Sequence, residues 1–512
     1  MNEFFNAVNE MFDGIRIFSD YIWAFPTQFT WYASIPILGE LAMPIIVLFA
    51  VGIFFTFKTR FIALMSFKRS VRIILSKQPS KNGVSSLSAF MLGLAMRVGP
   101  GNIVGVTGAI AVGGPGALFW MWVAAFFGMT TAFMEAVLAQ IFKERKEDQF
   151  VGGLPFYGKR LLGNARWIGV FLSIAFIVYA LFNIPAQTFN VFSAIDQISE
   201  NVAGQKFERQ SFFSYGVSII LILSSALLIF GGMPRVIRYV NILVPFKAGL
   251  FFIISISLVL INLPLIPYFF KVVFTEAFNP SAIFGGSVGV AIAQGVKRGL
   301  MSNEAGQGTI TMAAALADTK HPCEQGFVQS FGVFIDTIVI CTLTGFVVIF
   351  AHLWEPLDVT FWDNIKDKRI ELYLESIKTL TPDSFERFVK TLIAICYGLF
   401  AFTTLLGMIS FAEISANYIS RKKQFILMIR ILGACVFVPF GAITVLAKLE
   451  LGNLWNITDL TNLMMVYLNV PILLIGAPLV YKALKHYLAH EKNERLSFDS
   501  KKELGVETDY WK

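Results

Sequence analysis

The residues best suited to chemistry in this chain form a short run, Val98 to Gly101, inside a long apolar stretch. Pro100 has no amide donor and clashes with the helical turn before it, while Gly99 adds backbone freedom without side-chain packing. A break of this kind exposes backbone amides and carbonyls. Hydrocarbon tolerates it only where protein buries it or where it lines a polar cavity. The run therefore predicts an unwound helix that binds a polar or charged ligand.

The two sides of this break favour opposite charges. A helix that restarts near Asn102 and Ile103 presents free amides and a positive dipole end, which suit a carboxylate. Carbonyls left open at Ala95 and Val98 suit a small hard cation, which prefers oxygen ligands. We expect Asn102 first to cap the second half-helix, and direct contact with the ligand is the alternative.

A second interruption lies within residues 295–308, where Ser-Asn-Glu-Ala-Gly-Gln-Gly occurs in apolar surroundings. If the backbone opens there, the residues that line a pocket are Met301, Ala305 and Gln307. Glu304 is costly inside a membrane unless it is paired or hydrated. We expect it to pair with a nearby base, and contact with a substrate ammonium is the alternative. The candidate bases are Lys297, Arg298 and Arg97, and the acids left without an assigned role are Glu135, Asp336 and Glu413.

Polar side chains in two other apolar stretches are further candidates. One stretch carries Asn183, Gln187 and Asn190 on one helical face, where substrate contact and hydrogen bonds between helices are equally expected. Another carries Thr403 and Thr404. Threonine hydroxyls in a helix commonly bond back to their own backbone. They become candidate cation ligands because this helix can approach the first break.

Composition limits the classes of protein to which the chain can belong. It is 56% hydrophobic and only 15% charged, whereas soluble proteins have about 25% charged residues. A net charge of +8 could suggest nucleic acid, but the basic residues lie between apolar stretches rather than on one face of a domain. The four histidines and four cysteines show no metal, redox or catalytic spacing. The sequence therefore predicts a lipid-embedded protein with no enzyme activity, no cofactor and no nucleic-acid partner.

With roughly 20 apolar residues per span, the sequence predicts an all-α integral membrane protein with eleven transmembrane helices. Their expected positions are 35–57, 87–112, 116–142, 167–191, 212–231, 239–263, 282–316, 326–350, 388–411, 424–447 and 455–484. Basic residues crowd alternate loops, which places the N-terminus outside and the C-terminus in the cytoplasm of a cell (inner) membrane protein.

The two interrupted spans are the second and the seventh. Spans two to six and seven to eleven then make two groups of five that enter from opposite faces, which indicates a five-plus-five inverted repeat with one extra N-terminal helix. The predicted organisation is an amphipathic segment at 1–34, an extra helix at 35–57, repeats at 87–263 and 282–484, and a cytoplasmic tail at 485–512.

Four motifs in order resemble the alanine/glycine:cation symporter family. They are Gly-Pro-Gly-Asn-Ile-Val-Gly-Val at 99–106, Gly-Gly-Pro-Gly-Ala-Leu-Phe-Trp-Met-Trp at 113–122, the 295–308 segment, and Thr-Lys-His-Pro at 319–322 with Gly-Val-Phe-Ile-Asp at 332–336. The resemblance runs over most of the chain. It implies a LeuT-type fold and sodium-driven, sometimes proton-driven, uptake of a small neutral amino acid, commonly alanine or glycine.

The resemblance also implies site residues. Carried over position by position, the family's motifs match Gly99, Gly101, Asn102, Met301, Ala305, Gln307 and Thr404. The chain departs from the family's usual pattern at Pro100, where a threonine is common, and at Met408, where a tryptophan is common. Gln187 sits one residue late in the family's Asn-x-x-Gln pattern. A flexible methionine could enlarge the pocket, so these changes bear on the choice of substrate.

The resulting hypothesis is a secondary transporter. The substrate carboxylate would lie at the amides near Gly101–Ile103 and its ammonium on carbonyls of the second break. Sodium, the expected coupling ion, would lie among Ala95, Val98, Thr403 and Thr404. A proton-coupled permease of the same fold, using Glu304 or Glu135, is the alternative. A passive channel is less favoured, because a filter needs symmetry-related copies. The expected partners are the amino acid, sodium and the lipid bilayer, with no obligate protein partner.

Overall fold

The computed structural model describes residues 17–76, 83–147, 149–279, 288–353, 368–447, 451–491 and 497–512, with positions 10, 14 and 15 before them. These ranges are almost entirely helical, and the predicted all-α class is confirmed. They also contain one antiparallel hairpin, β1 (Glu144–Lys146) and β2 (Gln149–Val151). Much of the predicted amphipathic segment, at positions 1–9, 11–13 and 16, lies outside the described residues.

In the first half of the chain, residues 17–24 are helical, and thirteen further helices follow. They are α1 (Thr30–Ala33), α2 (Met43–Lys58), α3 (Ile62–Met65), α4 (Phe67–Leu75), α5 (Ser86–Arg97), α6 (Val106–Gly113), α7 (Gly116–Ile141), α8 (Leu154–Leu161), α9 (Arg166–Phe182), α10 (Ile184–Ala203), α11 (Phe212–Phe230), α12 (Gly232–Ile261) and α13 (Ile266–Phe278). The Ser85 hydroxyl caps α5 by accepting the Ser88 N–H, and Pro185 starts α10, where a missing amide donor costs nothing.

The second half continues with ten described helices. They are α14 (Val288–Asn303), α15 (Thr311–Leu316), α16 (Pro322–Val333), α17 (Thr342–Phe350), α18 (Arg369–Leu380), α19 (Asp383–Ile419), α20 (Lys423–Ile431), α21 (Val438–Leu446), α22 (Leu451–His490) and α23 (Ser500–Leu504). Three π-helical segments join helices of the chain, at Gly101–Gly105, Phe334–Cys341 and Leu432–Phe437. Two 3₁₀ turns lie at Leu38–Glu40 and Leu263–Leu265.

Eight helices among the described residues are long and apolar enough to cross a membrane, and the bent pair at 86–113 raises this number to nine. The predicted number of eleven is not reached by this measure, for two reasons. The predicted span 35–57 contains a helix of only 16 residues, α2. The predicted span 282–316 is divided into α14, with 16 residues, and α15, with six.

The broken helices lie inside the bundle, and other helices surround them. α14 packs against α6 and α7, and α5 packs against α12, α16 and α19. In the most apolar window of α19, 72% of residues are buried, but only 39% are buried in α11 and in α12. The outer faces of α11 and α12 carry exposed Ile220, Leu223 and Ile253. These two helices are therefore positioned to contact lipid.

Candidate functional site

The break predicted at Val98–Gly101 is present. α5 ends at Arg97, the π-helical segment begins at Gly101, and the two halves of the span meet at 51°. The side chain of Asn102 closes this break: its Oδ1 accepts the N–H of Gly99, three residues earlier, at 2.8 Å. Asn102 therefore does not cap the second half-helix, as the sequence led us to expect, because its oxygen points back across the turn.

The amides that were expected to be free are occupied. The N–H of Asn102 donates to the carbonyl of Gly99 at 3.1 Å, and the N–H of Ile103 donates to the carbonyl of Pro100 at 3.0 Å. Both side chains are fully buried, and neither lines the adjacent cavity. The tight turn through Pro100 uses these donors for its own backbone, so they are not available to a carboxylate.

Asp336 connects the first break to α14. Its Oδ1 accepts the Nδ2 of Asn102 at 2.7 Å, and its Oδ2 accepts the hydroxyls of Ser302 and Thr337, each at 2.8 Å. The carboxylate is fully buried in the π-helical segment Phe334–Cys341. The sequence left this acid without an assigned role because two of its partners, Asn102 and Ser302, are more than thirty residues away along the chain.

A cavity of about 70 Å³ lies beside the first break. Six of the ten predicted substrate residues line it: Gly99, Gly101, Asn183, Gln187, Met301 and Met408. The other four, Asn102, Ile103, Ala305 and Gln307, do not line it. Residues not predicted there include Arg298, Trp455, Thr458 and Asn462. Three of these come from α22, whose approach to the first break could not be read from sequence spacing.

Two amide side chains of the cavity have unused acceptors. The Nδ2 of Asn183 donates to the hydroxyl of Thr461 at 2.8 Å and to the carbonyl of Tyr179 at 2.7 Å, which leaves its buried Oδ1 without a partner among the described residues. The Oε1 of Gln187 is likewise buried and unpartnered within the described ranges. Asn190 is different: it does not line the cavity, and its Oδ1 accepts the hydroxyl of Tyr397 at 2.7 Å.

The second break has a different construction. α14 ends at Asn303, Gly306 and Gly308 adopt φ values of 92° and 75°, and α15 begins at Thr311. The Oε1 of Glu135 accepts the Gly308 N–H at 2.8 Å. The Nδ2 of Asn469 donates to that same Oε1 at 2.6 Å and to the Gly306 carbonyl at 2.9 Å. Side chains from α7 and α22 thus replace the missing helical hydrogen bonds.

Of the three pocket residues predicted at the second break, Met301 lines the cavity, whereas Ala305 and Gln307 face protein. Ala305 is fully buried, and its N–H donates to Asn303 Oδ1 at 3.0 Å. The Nε2 of Gln307 donates to the Leu300 carbonyl at 3.2 Å. These contacts direct both residues into the packed turn, which explains why they do not line the cavity.

Glu304 lines the cavity, and its Oε2 accepts the hydroxyl of Thr309 at 2.7 Å. The expected pairing with Lys297 or Arg298 is wrong, because both bases lie beside Asp459, at 2.7 Å and 3.7 Å. Asp459 lies in α22, and we did not single it out from the sequence. An acid within an apolar span is a signal that could have done so.

Arg97, the third candidate partner of Glu304, donates instead to two backbone carbonyls. Its Nε reaches the carbonyl of Asn303 at 2.9 Å, and its Nη1 reaches the carbonyl of Gln329 at 2.8 Å. The guanidinium is fully buried in the packed interior. It therefore ties α5 to the end of α14 and to α16.

The four residues of the predicted cation site are adjacent. The Thr404 hydroxyl lies 3.2 Å from the Ala95 carbonyl. The Nζ of Lys247, from α12, lies 2.5 Å from the Val98 carbonyl and hydrogen-bonds the Thr403 hydroxyl. We did not include Lys247 among the candidates, although a lysine inside an apolar span is a functional signal. The binding of a cation by these residues stays a prediction.

Comparison with known proteins settles the family. The model of the sodium:alanine symporter family matches residues 29–501 of the chain. The chain belongs to this family. The resemblance that the four motifs indicated is therefore confirmed, and the protein is a membrane transporter of a symporter family, a class that is distinct from enzymes.

Several characterised or named members of the sodium:alanine symporter family are similar over most of their length. Amino-acid carrier protein AlsT of Bacillus subtilis is 32% identical over 496 residues, 96% of this chain and 94% of the relative. Probable sodium/glutamine symporter GlnT of the same species is 32% identical over 450 residues, 88% of each chain. Sodium/alanine symporter AgcS of Methanococcus maripaludis is 33% identical over 460 residues, 88% of this chain and 95% of the relative.

A solved structure, that of MhsT in complex with L-phenylalanine, aligns with a TM-score of 0.46 at 11% identity and covers 78% of this chain and 100% of that chain. At this degree of likeness the LeuT-type five-plus-five arrangement stays a prediction for this member of the sodium:alanine symporter family.

Proposed function

We propose that the chain imports a small neutral amino acid, such as alanine or glycine, across the cell membrane together with a cation. The observation that carries this proposal is the cavity at the first break, where two buried amide oxygens have no donor among the residues that the structure describes. A buried acceptor without a partner is costly. A substrate ammonium supplies the missing donors.

The proposed pose places the ammonium between Asn183 Oδ1, Gln187 Oε1 and the carboxylate of Glu304, all at the cavity wall. The carboxylate lies against Gly101, where a side chain would meet no heavy atom within 4 Å. The positive dipole end of the second half-helix begins there. Because the amides of Asn102 and Ile103 are occupied, this pose uses the helix dipole and open space rather than those two donors.

We propose a neutral substrate side chain because both bases at the cavity already have partners in the protein. Arg97 donates to two backbone carbonyls, and Arg298 lies 3.7 Å from Asp459. The acid at the cavity, Glu304, is used by the substrate ammonium in the proposed pose. The remaining wall includes the thioethers of Met96, Met301 and Met408, which adapt to small apolar groups.

Coupling to a cation gives the transporter its driving force. One positive charge that moves inward gains about 2.3 kcal/mol per 100 mV. At about 1.4 kcal/mol per factor of ten, this corresponds to an accumulation of about 50-fold from voltage alone. Sodium is the cation in the family's name and in the names of GlnT and AgcS. Our sequence-based site for it is Ala95, Val98, Thr403 and Thr404.

We further propose a LeuT-type inverted repeat, with the N-terminus outside and the C-terminus in the cytoplasm. The basic loops support this orientation. Single cysteines placed at Lys68, in the first turn of α4, and at Lys378, in α18, test it in whole cells. An impermeant thiol reagent should label the second position and not the first, and the reverse pattern would invert the assignment.

The test of function begins with the purified full chain in detergent. A thermal-shift screen of the twenty amino acids, each in sodium and in choline buffer, should show a rise in Tm with alanine or glycine. The ligand found there is then used for counterflow in proteoliposomes. Saturable, accelerated exchange is expected of a transporter, whereas a channel shows none. If no amino acid changes Tm and none exchanges, the proposal fails.

A further inference from the structure

A second cavity lies at the end of the bundle that the basic loops assign to the cytoplasm. Its volume is about 230 Å³, larger than that of the cavity at the first break, and the two cavities share no lining residue. The bases in its wall are Lys159 of α8, Arg166 at the start of α9, and Arg421, which follows α19. Glu144 of β1 lines it as well. Three bases and one acid leave two positive charges at this wall, and we call it the basic cavity.

Two of the three bases have no fixed partner. Among the residues that the structure describes, the side chains of Lys159 and Arg166 make no hydrogen bond and no ion pair. Glu144 interacts electrostatically with Lys159, but its carboxylate is bonded to the guanidinium of Arg421. Arg421 also donates to the Arg145 carbonyl at 3.2 Å, so three of its five N–H donors remain. An anion in the basic cavity therefore meets unused donors from three separate segments of the chain.

The backbone adds further donors at the start of α9. Its N-cap residue, Ala165, provides no side-chain cap, so the first amides of this 17-residue helix are available to a ligand. α19 ends at the same wall, so the two helix dipoles oppose each other there and the side-chain charges decide its sign. The Tyr418 hydroxyl lies 3.4 Å from the Arg166 carbonyl, and the Tyr418 ring packs edge-on against Phe156 at 5.2 Å. These contacts hold the start of α9 at the wall.

Exposed apolar surface begins beside the basic cavity on two helices. On α9, Trp167 directly follows Arg166 and is 70% exposed, and Phe171 is exposed one turn later. On α20, Leu427 and Met428 are exposed. Both helices pack against α19. A molecule whose charged group occupies the basic cavity can therefore extend an apolar part along either helix into the bilayer.

We propose that the basic cavity binds the phosphate headgroup of an anionic phospholipid, whose acyl chains lie along the exposed apolar side chains of α9 and α20. Guanidinium groups bind phosphate oxygens in pairs, and basic pockets between helices on the cytoplasmic side of a membrane suit lipid headgroups. The apolar flanks favour a lipid over a soluble phosphate, which has nothing to place there. The bound headgroup connects α8, α9 and the segment after α19.

The test measures lipid binding to the purified, delipidated full chain in a neutral detergent. Tm is recorded while phosphatidylglycerol is added to the micelles, and the midpoint of the rise gives an apparent affinity. Phosphatidylcholine, whose headgroup has no net charge, and inorganic phosphate, which has no acyl chain, are added in parallel. We expect phosphatidylglycerol alone to raise Tm. No rise with phosphatidylglycerol, or an equal rise with phosphatidylcholine, would overturn the proposal. An equal rise with inorganic phosphate would replace the lipid with a soluble anion.

The double variant Lys159→Gln/Arg166→Gln removes the two bases that have no protein partner. It should leave Tm in the absence of lipid nearly unchanged and weaken the apparent affinity for phosphatidylglycerol about 30-fold. Lys159→Arg/Arg166→Lys keeps both charges and should keep most of the affinity, which separates the loss of charge from damage to the fold. Wild-type affinity in the glutamine variant would contradict the assignment of the site.

Lys482→Gln/Lys485→Gln is the matched control. Both lysines lie near the end of α22, are exposed and do not line the basic cavity, and their replacement removes the same two charges from the protein. We expect the affinity for phosphatidylglycerol to stay unchanged. An equal loss in the two glutamine pairs would mean that overall charge attracts the lipid, which refutes a site in this cavity. Because the two cavities share no residue, failure of amino-acid counterflow leaves the lipid site standing, and the reverse also holds.

Discussion

The two broken helices satisfy their backbone groups in different ways. At the first break, the Val98 carbonyl lies 2.5 Å from the Nζ of Lys247, Asn102 closes the turn, and Gly99 lines a cavity. At the second break, Glu135 and Asn469 hold the amide of Gly308 and the carbonyl of Gly306, and all of these groups are buried in protein. Membranes accept irregular backbone either beside a cavity or inside packed protein, and this chain uses one solution at each break.

The difference indicates that the two breaks have different roles. Hydrogen bonds with Glu135 and Asn469 hold the backbone of the second break in place. This break therefore supports the wall of the cavity, to which it contributes Glu304. The first break borders a cavity and contacts the Lys247 side chain, and we therefore expect it to be the part that responds to a ligand. Substitutions at the second break should change folding more than transport, and those at the first break should do the reverse.

The largest effect is expected for Glu135→Ala. This change leaves the Gly308 N–H and one donor of Asn469 without an acceptor in the packed interior, and each unsatisfied group costs about 1–3 kcal/mol. We expect a loss of about 3 kcal/mol, measured as a lower Tm and a lower yield of folded protein. Glu135→Gln keeps an acceptor oxygen and should lose less than half as much. Equal losses in the two variants would refute the role of the acceptor.

A pair of glycine substitutions compares the two breaks directly. Gly306 has a φ of 92°, and an added Cβ would collide with Leu48, so Gly306→Ala should cost about 2 kcal/mol of stability. Gly101 has no heavy atom within 4 Å of an added Cβ, so Gly101→Ala should change stability by only about 0.5 kcal/mol. The methyl group enters the cavity, however, and should weaken substrate binding. Tm should fall more in Gly306→Ala than in Gly101→Ala, and the counterflow rate should fall more in Gly101→Ala than in Gly306→Ala.

A smaller loss of stability than for Glu135→Ala or Gly306→Ala is expected for Asn102→Ala. The Gly99 N–H keeps its other acceptor, the Arg97 carbonyl at 2.8 Å, so the cost should be about 1 kcal/mol. Transport should suffer more, because Asn102 connects the first break to Asp336. Counterflow rates and Tm on the same preparation test this. If Asn102→Ala lowered stability and transport in equal proportion, Asn102 would have a structural role like that of the second break, which would contradict this prediction.

Both breaks could be predicted because their signals are local: Gly99-Pro-Gly101 and the glycine-rich turn after Glu304 interrupt apolar runs. Their partners could not. Lys247, Glu135 and Asn469 come from helices whose neighbours only the folded bundle defines. The free amides expected at residues 102–103 were wrong because the tight turn bonds them internally. The predicted number of spans was also not reached, because the helix in span 35–57, α2, is short and span 282–316 is divided into α14 and α15.

Asp336 adds a mechanical consequence. One carboxylate accepts Asn102 from the first broken helix and Ser302 from the second, on different oxygens. The two broken helices are therefore linked through a single buried carboxyl group, and a displacement of either helix alone would remove a hydrogen-bond donor from it. For this reason we expect the two helices to move together.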